Sequence, residues 1–147
     1  EKVERGKYYI DCDYPEFENP GDMPQKIKEY CRQNNLPVPQ SVGEIAMCVY
    51  ESLAKKYKNT YDMLCDVTGI KYPSINLIGG GSKASLLCRL TADICGVPVT
   101  AGPVEATAIG NICVSLITLN EIENISQARN IIAKSFEVKK YTPREQA

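Results

Sequence analysis

The sequence has 147 residues, of which 44% are hydrophobic and 24% charged, so its size and composition are those of one globular domain. Its 17 basic and 18 acidic residues give a net charge of −1, which offers no electrostatic basis for binding nucleic acid or an anionic membrane. Histidine is absent, which excludes a Ser-His-Asp triad, a Cys-His dyad and every histidine-containing metal site. No apolar run approaches a membrane span, and the first residues lack the apolar core of a signal peptide. A cytoplasmic protein is therefore expected.

The amino-terminal segment starts at Glu1 without an initiator methionine and leads into residues 7–10, Lys-Tyr-Tyr-Ile, which are predicted to form a strand. We therefore expect the sequence to be a piece of a longer protein. Residues 11–21 are acidic and aromatic and contain two prolines, a composition typical of an ordered loop.

Two helices are predicted in the first half of the chain. Asp22 is a suitable cap for the first helix, which carries Pro24 near its first turn and ends before Pro37. The second helix opens with the capping-box pair Ser41 and Glu44 and is predicted to be the longest in the chain, ending at Gly69. Its apolar stripe, spaced by three or four residues, is Ile45, Val49, Leu53, Tyr57, Tyr61 and Leu64.

Two short strands are predicted in the second half, at residues 74–78 and 97–101, and each turns through glycine into a helix. The helix after the first strand ends at Gly96. Its apolar face consists of Leu86, Leu87, Leu90 and Ile94.

The helix after the second strand is predicted to span residues 104–119, with Gly102 as its cap and Pro103 in its first turn. Because it is apolar nearly all round, we expect it to be buried. A last helix is predicted to begin near Ser126, and the tail becomes charged beyond Phe136.

The run Gly79, Gly80, Gly81 and Ser82 is the candidate nucleotide-binding turn. Glycine adopts positive φ in a sharp turn, and its missing Cβ lets a base or a phosphate approach the backbone. The run is neither a Walker loop, which needs a following Gly-Lys-Ser/Thr, nor a Rossmann fingerprint. The alternative is a connection that needs glycine only for packing.

Several motifs extend this interpretation, namely Pro-Gly-Asp-Met-Pro at residues 20–24, Thr-Ala-Asp at 91–93 and, most specifically, Ala-Gly-Pro-Val-Glu-Ala-Thr at 101–107. With the glycine turn, their order and spacing resemble the FGGY carbohydrate kinase family from about residue 19 to residue 136. The resemblance implies an α/β fold, part of an actin-like, ribonuclease-H-like ATPase domain, helix-rich with a small sheet. Residues 1–147 would then be part of the carboxy-terminal, nucleotide-side domain.

The resemblance also implies a reaction, transfer of the γ-phosphoryl group of ATP to the 1-hydroxyl of L-rhamnulose. Mg²⁺ would be the cofactor, and a missing amino-terminal domain would bind the sugar. Gly80 would lie against ATP or ADP, with Gly79 and Gly81 shaping the turn. The family usually has Asn four residues after the middle glycine, where this chain has Ala84, and the lost hydrogen bond would weaken binding by about 1 kcal/mol. Lys83 is either a phosphate ligand or a solvated lysine.

The family's catalytic Asp and its phosphate-binding hairpin match nothing in this sequence. No catalytic or metal-binding residue is therefore assigned, and the isolated chain is expected to be inactive. Asp93 is expected to make a structural hydrogen bond. Two alternatives stay open: another sugar kinase of the family, such as a fuculokinase or xylulokinase, and a non-catalytic nucleotide-binding module. Because flanking strands are expected to be missing, self-association is predicted.

The seven cysteines show no Cys-x-x-Cys spacing, and scattered cysteines in apolar positions are usually small buried hydrophobes. A disulfide scaffold is not expected at this length. The family resemblance implies that Cys31 and Cys48, on the inner faces of consecutive helices, can pair, and two free thiols are the alternative.

Overall fold

The computed structural model describes residues 3–144, and the chain divides after Ile70 into two compact units. The first unit contains the 3-10 turn Pro15–Phe17 and the helices α1 (Met23–Gln33) and α2 (Val42–Thr68). The second unit contains the strands β1 (Ile75–Leu77), β2 (Val99–Ala101) and β3 (Lys139–Tyr141), the 3-10 turn Gly80–Lys83 and the helices α3 (Ser85–Cys95), α4 (Ala106–Thr118) and α5 (Ile125–Ser135). None of the helices in the described part of the chain combines the length and apolarity that crossing a membrane requires.

Both helices of the first unit begin at the cap residues that the sequence predicts. The Asp22 carboxylate accepts a hydrogen bond from Gln25 N at 3.2 Å. Ser41 Oγ accepts from Glu44 N at 3.2 Å, and the Glu44 carboxylate accepts from Ser41 N at 3.0 Å, which completes the capping box. Gly69, with a φ of 67°, ends α2 in the left-handed conformation.

Residues 7–10 form no strand, so that prediction is wrong. Side chains of α2 bind the backbone at both ends of this segment. Gly6 N donates to both carboxylate oxygens of the buried Glu51, at 2.9 and 3.1 Å, and Ile10 N donates to Ser52 Oγ at 3.0 Å. These donors are therefore paired without a partner strand.

The core of the first unit contains two cysteines. Cys31 and Cys48 are fully buried, free thiols packed with Tyr8 and Ile27. Burial raises the pKa of the Cys31 thiol, and burial followed by the neighbouring Cys31 raises the pKa of Cys48 to about 12. The prediction that these cysteines act as small buried hydrophobes is confirmed.

The sheet of the second unit has the order β1-β2-β3. β1 and β2 are parallel, with Leu77 opposite Ala101, and β2 and β3 are antiparallel, with Ala101 opposite Lys139. The sequence does not predict β3, because this edge strand is polar and pairs through its backbone. The buried core of the sheet and α3 consists of Cys88, Ala92, Val99 and Ala101.

The start of α4 differs from the prediction. α4 begins at Ala106, and its cap residue is Glu105 rather than Gly102. Gly102 has a φ of 113°, and its N donates to Leu77 O at 2.9 Å. It therefore continues the backbone pairing beyond β1 and β2, three residues before the cap of α4.

The expectation that α4 is buried is also wrong for the described residues. One side of α4 packs on α5 through Cys113 and its neighbours, and Cys113 is the one buried residue of this helix. Ile112 and Val114 are 58% and 59% exposed. An apolar helix needs cover on all sides, and the described part of the chain covers one.

Glu44 ties the amino-terminal segment to the start of α2. Its carboxylate accepts hydrogen bonds from the Tyr8 hydroxyl at 2.6 Å and from the backbone N of Gln40 and Ser41 at 2.7 and 3.0 Å. Tyr8 first, and then the two backbone donors, lower the pKa of the Glu44 carboxyl from 4.5 to about 2. A carboxyl whose pKa is lowered by folding stabilises the fold above its unfolded pKa, and this contribution is lost as the pH falls through its folded pKa.

We expect Glu44→Gln to remove this pH-dependent contribution. Between about pH 5 and about pH 2, the variant should therefore lose less free energy of unfolding than the wild-type chain does. Chemical denaturation at a series of pH values, followed by circular dichroism, measures the difference. Glu18→Gln, at an exposed carboxylate, is the control, and equal pH dependence in Glu44→Gln and wild type would contradict the prediction.

Candidate nucleotide-binding site

Two glycine turns lie side by side at one edge of the sheet. Because β1 and β2 are parallel, their carboxyl ends meet at the same edge, where Gly79 follows β1 and Gly102 follows β2. Gly102 N donates to Leu77 O at 2.9 Å, and Gly79 N donates to Pro103 O at 3.4 Å. In α/β sheets, ligands bind beyond the carboxyl ends of the strands, so this edge is the candidate site.

The first turn requires glycine at its first position. Gly79 has a φ of 73° and a ψ of −159°, a combination that is essentially restricted to glycine. Ser82 closes the turn, because its N and its Oγ both donate to Gly79 O, at 3.1 and 2.6 Å. The turn is thus fixed by local hydrogen bonds before α3 begins.

Gly80 and Gly81 are glycines that the chain's own conformation does not require. Neither has a positive φ, and a Cβ added at either would meet no heavy atom of the described chain within 4 Å. The packing alternative therefore accounts for Gly79 and leaves these two positions unexplained. Open space in front of an exposed backbone is what a closely approaching ligand needs.

The start of α3 lacks a side-chain cap. Ala84 occupies the cap position, and no side-chain hydrogen bond is made there. The N–H groups of the first helical turn point out of the helix end and, with the helix dipole, favour an anionic or polar ligand. An Asn at this position would cap the helix, which Ala84 cannot do.

An open cleft of about 170 Å³ lies at this edge of the sheet. Three segments line it: Ser82, Lys83 and Ser85 after β1; Ala101, Gly102 and Val104 around the end of β2; and Glu137 and Lys139 at the start of β3. Of the predicted site residues, Ser82 lines the cleft, and Gly79, Gly80 and Gly81 form the turn directly before it.

Sequence reasoning missed Glu137 and Lys139. They belong to the charged tail, where no alternation of apolar residues marks a strand. The backbone pairing of Ala101 with Lys139 is what brings the tail to the cleft.

Asp93 has a structural role in the described chain. Its carboxylate makes the predicted hydrogen bonds, accepting from Arg144 Nε and Nη2 at 3.2 and 2.8 Å and from Arg144 N at 3.1 Å. Residues 3–144 contain no group of three or more Cys, Asp or Glu side chains placed to hold a metal ion.

A second cleft, of about 390 Å³, lies in the first unit and is lined in part by charged residues. Lys56 forms an ion pair with Asp13, and the Lys55 ammonium lies 3.1 Å from the centre of the Tyr9 ring. Because its lysines already have partners, this cleft is a weaker candidate than the glycine turn.

Comparison with known proteins adds to this geometry. The model of the FGGY family of carbohydrate kinases, C-terminal domain, matches residues 1–119 and so runs across both units. The chain belongs to the FGGY family of carbohydrate kinases. The FGGY carboxy-terminal domain is part of the actin-like ATPase fold, so the predicted family and fold class are confirmed.

Similar curated proteins carry the name rhamnulokinase. The protein of Ligilactobacillus salivarius is 43% identical over 98% of this chain, and that of Bacteroides thetaiotaomicron is 41% identical over 89%. The protein of Oceanobacillus iheyensis is 41% identical over 95% of the chain. The chain spans 30%, 27% and 30% of the length of these three FGGY relatives.

The geometry of the turn predicts that alanine substitutions at neighbouring glycines change the stability by different amounts. Gly79→Ala should lower the free energy of unfolding by about 1–3 kcal/mol, because alanine is strained in that conformation. Gly80→Ala should change it by less than about 0.5 kcal/mol, because its Cβ would enter open space. Chemical denaturation of both variants tests this pair, and equal losses of stability would contradict the assignment of a conformational role to Gly79 alone.

Proposed function

We propose that this chain is the ATP-side part of a cytoplasmic rhamnulokinase, which transfers the γ-phosphoryl group of ATP to the 1-hydroxyl of L-rhamnulose with Mg²⁺ as cofactor. The observation that carries the proposal is the open backbone at Gly80 and Gly81, beside a cleft at the carboxyl ends of two parallel strands. The relatives named rhamnulokinase, 41–43% identical, support the choice of sugar.

The chain's own groups suit the nucleotide in distinct ways. The Ser82 hydroxyl already donates its proton to Gly79 O, so its oxygen is left to accept from a ligand donor such as a ribose hydroxyl. The exposed backbone at Gly80 allows close approach of a base or sugar ring. The uncapped start of α3 and Lys83 favour the negative charge of the phosphates.

The remaining chemistry is assigned to the rest of the polypeptide. A general base must take the proton of the sugar hydroxyl while the new phosphorus–oxygen bond forms and ADP leaves. In the described cleft, the lining carboxylate is Glu137, which is exposed and lies 3.9 Å from Lys139. We therefore place the base, the sugar site and the protein ligands of Mg²⁺ outside this chain, and the isolated chain should be inactive.

Two other functions are alternatives to this proposal. A fuculokinase or xylulokinase would use the same nucleotide side, because sugar choice is made by the part of the polypeptide that this chain lacks. A non-catalytic nucleotide-binding module would keep the cleft and bind ATP without turnover.

The full-length protein is expected to phosphorylate L-rhamnulose with ATP and Mg²⁺. A coupled assay of ADP release on a panel of ketoses measures this activity. Preference for L-xylulose, D-xylulose or L-fuculose would overturn the sugar assignment and keep the kinase, whereas ATP binding without turnover on any sugar would favour the binding module.

Gly80→Val in the full-length protein tests whether ATP binds at the glycine turn. A branched side chain there would fill the space in front of the backbone, so KM for ATP should rise while KM for the sugar stays unchanged. An unchanged KM for ATP would show that the nucleotide binds elsewhere.

We also propose that the isolated chain self-associates. The outer side of α4 presents Ala108, Ile112, Ser115 and Leu119, which share one helical face and are all exposed in the described structure. α4 contains no charged residue along its length, and no other strand of the described sheet pairs with the outer edge of β1. Both features favour pairing with a second copy when the rest of the polypeptide is absent.

Sedimentation of the 147-residue chain should therefore show a dimer or larger species, for which burial of about 800 Å² per partner suffices. Ile112→Lys should shift the distribution towards monomer by placing a charge on the apolar face. Val114→Lys, at an equally exposed position of α4 outside this face, is the matched control. A monomer at all concentrations, or equal effects of both variants, would contradict the proposal.

A further inference from the structure

The carboxy-terminal segment, residues 137–144, lies outside the region matched by the family model and nevertheless forms one wall of the cleft. Its strand β3 pairs with the central strand β2, so it is an integral part of the sheet. This wall lies beyond the end of the family-model match at residue 119, although the Ligilactobacillus salivarius protein is similar over 98% of the chain.

The segment is held to α3 by contacts of two arginines. Arg89 Nη1 donates to Thr142 O at 2.6 Å, and the Arg89 guanidinium lies 5.0 Å from the centre of the Tyr141 ring. Arg144 binds the Asp93 carboxylate through its side chain and its backbone N. These contacts hold the carboxy-terminal end of β3, whereas the residues at its other end line the cleft.

The other end of the segment lies against the second glycine turn. A Cβ added at Gly102 would come within 3.1 Å of Glu137 O, so the close approach of the two backbones depends on glycine. This approach brings Glu137 and Lys139 to the cleft opposite Ser82 and Lys83.

We propose that Lys139 is a nucleotide-binding residue, whose ammonium contacts a phosphate group of the bound nucleotide. The inference rests on the proposed function, because it names a further ligand-contacting residue of that site. Lys139 lines the cleft, whereas its neighbour Lys140 does not, as expected for adjacent residues of a strand that point to opposite faces.

The charges in the cleft suit this role. Lys139 Nζ lies 3.9 Å from Glu137 Oε1, and both side chains are largely exposed, so the pair is weak. A polyphosphate carries more negative charge than a single carboxylate and displaces it easily. Together with Lys83 on the facing turn and the start of α3, Lys139 makes the cleft locally positive in a chain of net charge −1.

The test compares lysine variants in the full-length protein. Lys139→Gln should raise KM for ATP and the dissociation constant of ADP about five-fold, with KM for the sugar unchanged. Lys139→Arg, which keeps the charge, should restore most of the loss. Lys140→Gln, on the opposite face of the same strand, should match the wild type, and the effect of Lys139→Gln should shrink at high salt.

Three results distinguish failure of the Lys139 contact from failure of the proposed nucleotide site. If Lys139→Gln matches the wild type while Gly80→Val raises KM for ATP, the role of Lys139 is overturned and the nucleotide site stands. If Lys139→Gln and Lys140→Gln raise KM equally, the strand acts through its structure, and the contact is overturned as well. If Gly80→Val has no effect on KM for ATP, the proposed nucleotide site itself fails.

Discussion

The parallel pairing of β1 with β2 is the constraint on which the candidate site depends. It places two turns at one edge of the sheet, and backbone hydrogen bonds from Gly102 to Leu77 and from Gly79 to Pro103 join them. Gly102 then leaves room for the backbone at Glu137, which lets a third strand reach the same edge. The walls of the cleft therefore follow from backbone geometry.

The sequence predicts those elements whose signals are local. The caps at Asp22 and Ser41 and the helix ends at Gly69 and Gly96 are all confirmed, because each is decided by residues within one helical turn. The glycine turn and the βαβ order are local in the same sense. The family was predictable from motif order, and its model match confirms it.

The wrong prediction at residues 7–10 and the missed strand β3 both depend on partners that are distant in the sequence. Residues 7–10 are held by α2, and the bond from Gly6 to Glu51 spans 45 positions. β3 depends on contacts such as Arg89 with Thr142, 53 positions apart, which no composition rule reveals. The wrong expectation that α4 is buried has a different cause. Its apolar composition favours burial, but the described chain covers one side of the helix only.

The glycine turn and its departure from the family pattern lead to one conclusion about affinity. Gly79 serves conformation, while Gly80 and Gly81 keep the backbone open, so the three glycines offer a nucleotide only their backbone. Ala84 makes no side-chain hydrogen bond at the start of α3. A charge-assisted contact from a lysine is stronger than a hydrogen bond between neutral groups. On our proposal, Lys139 supplies such a contact from β3, a strand beyond the residues that the family model matches.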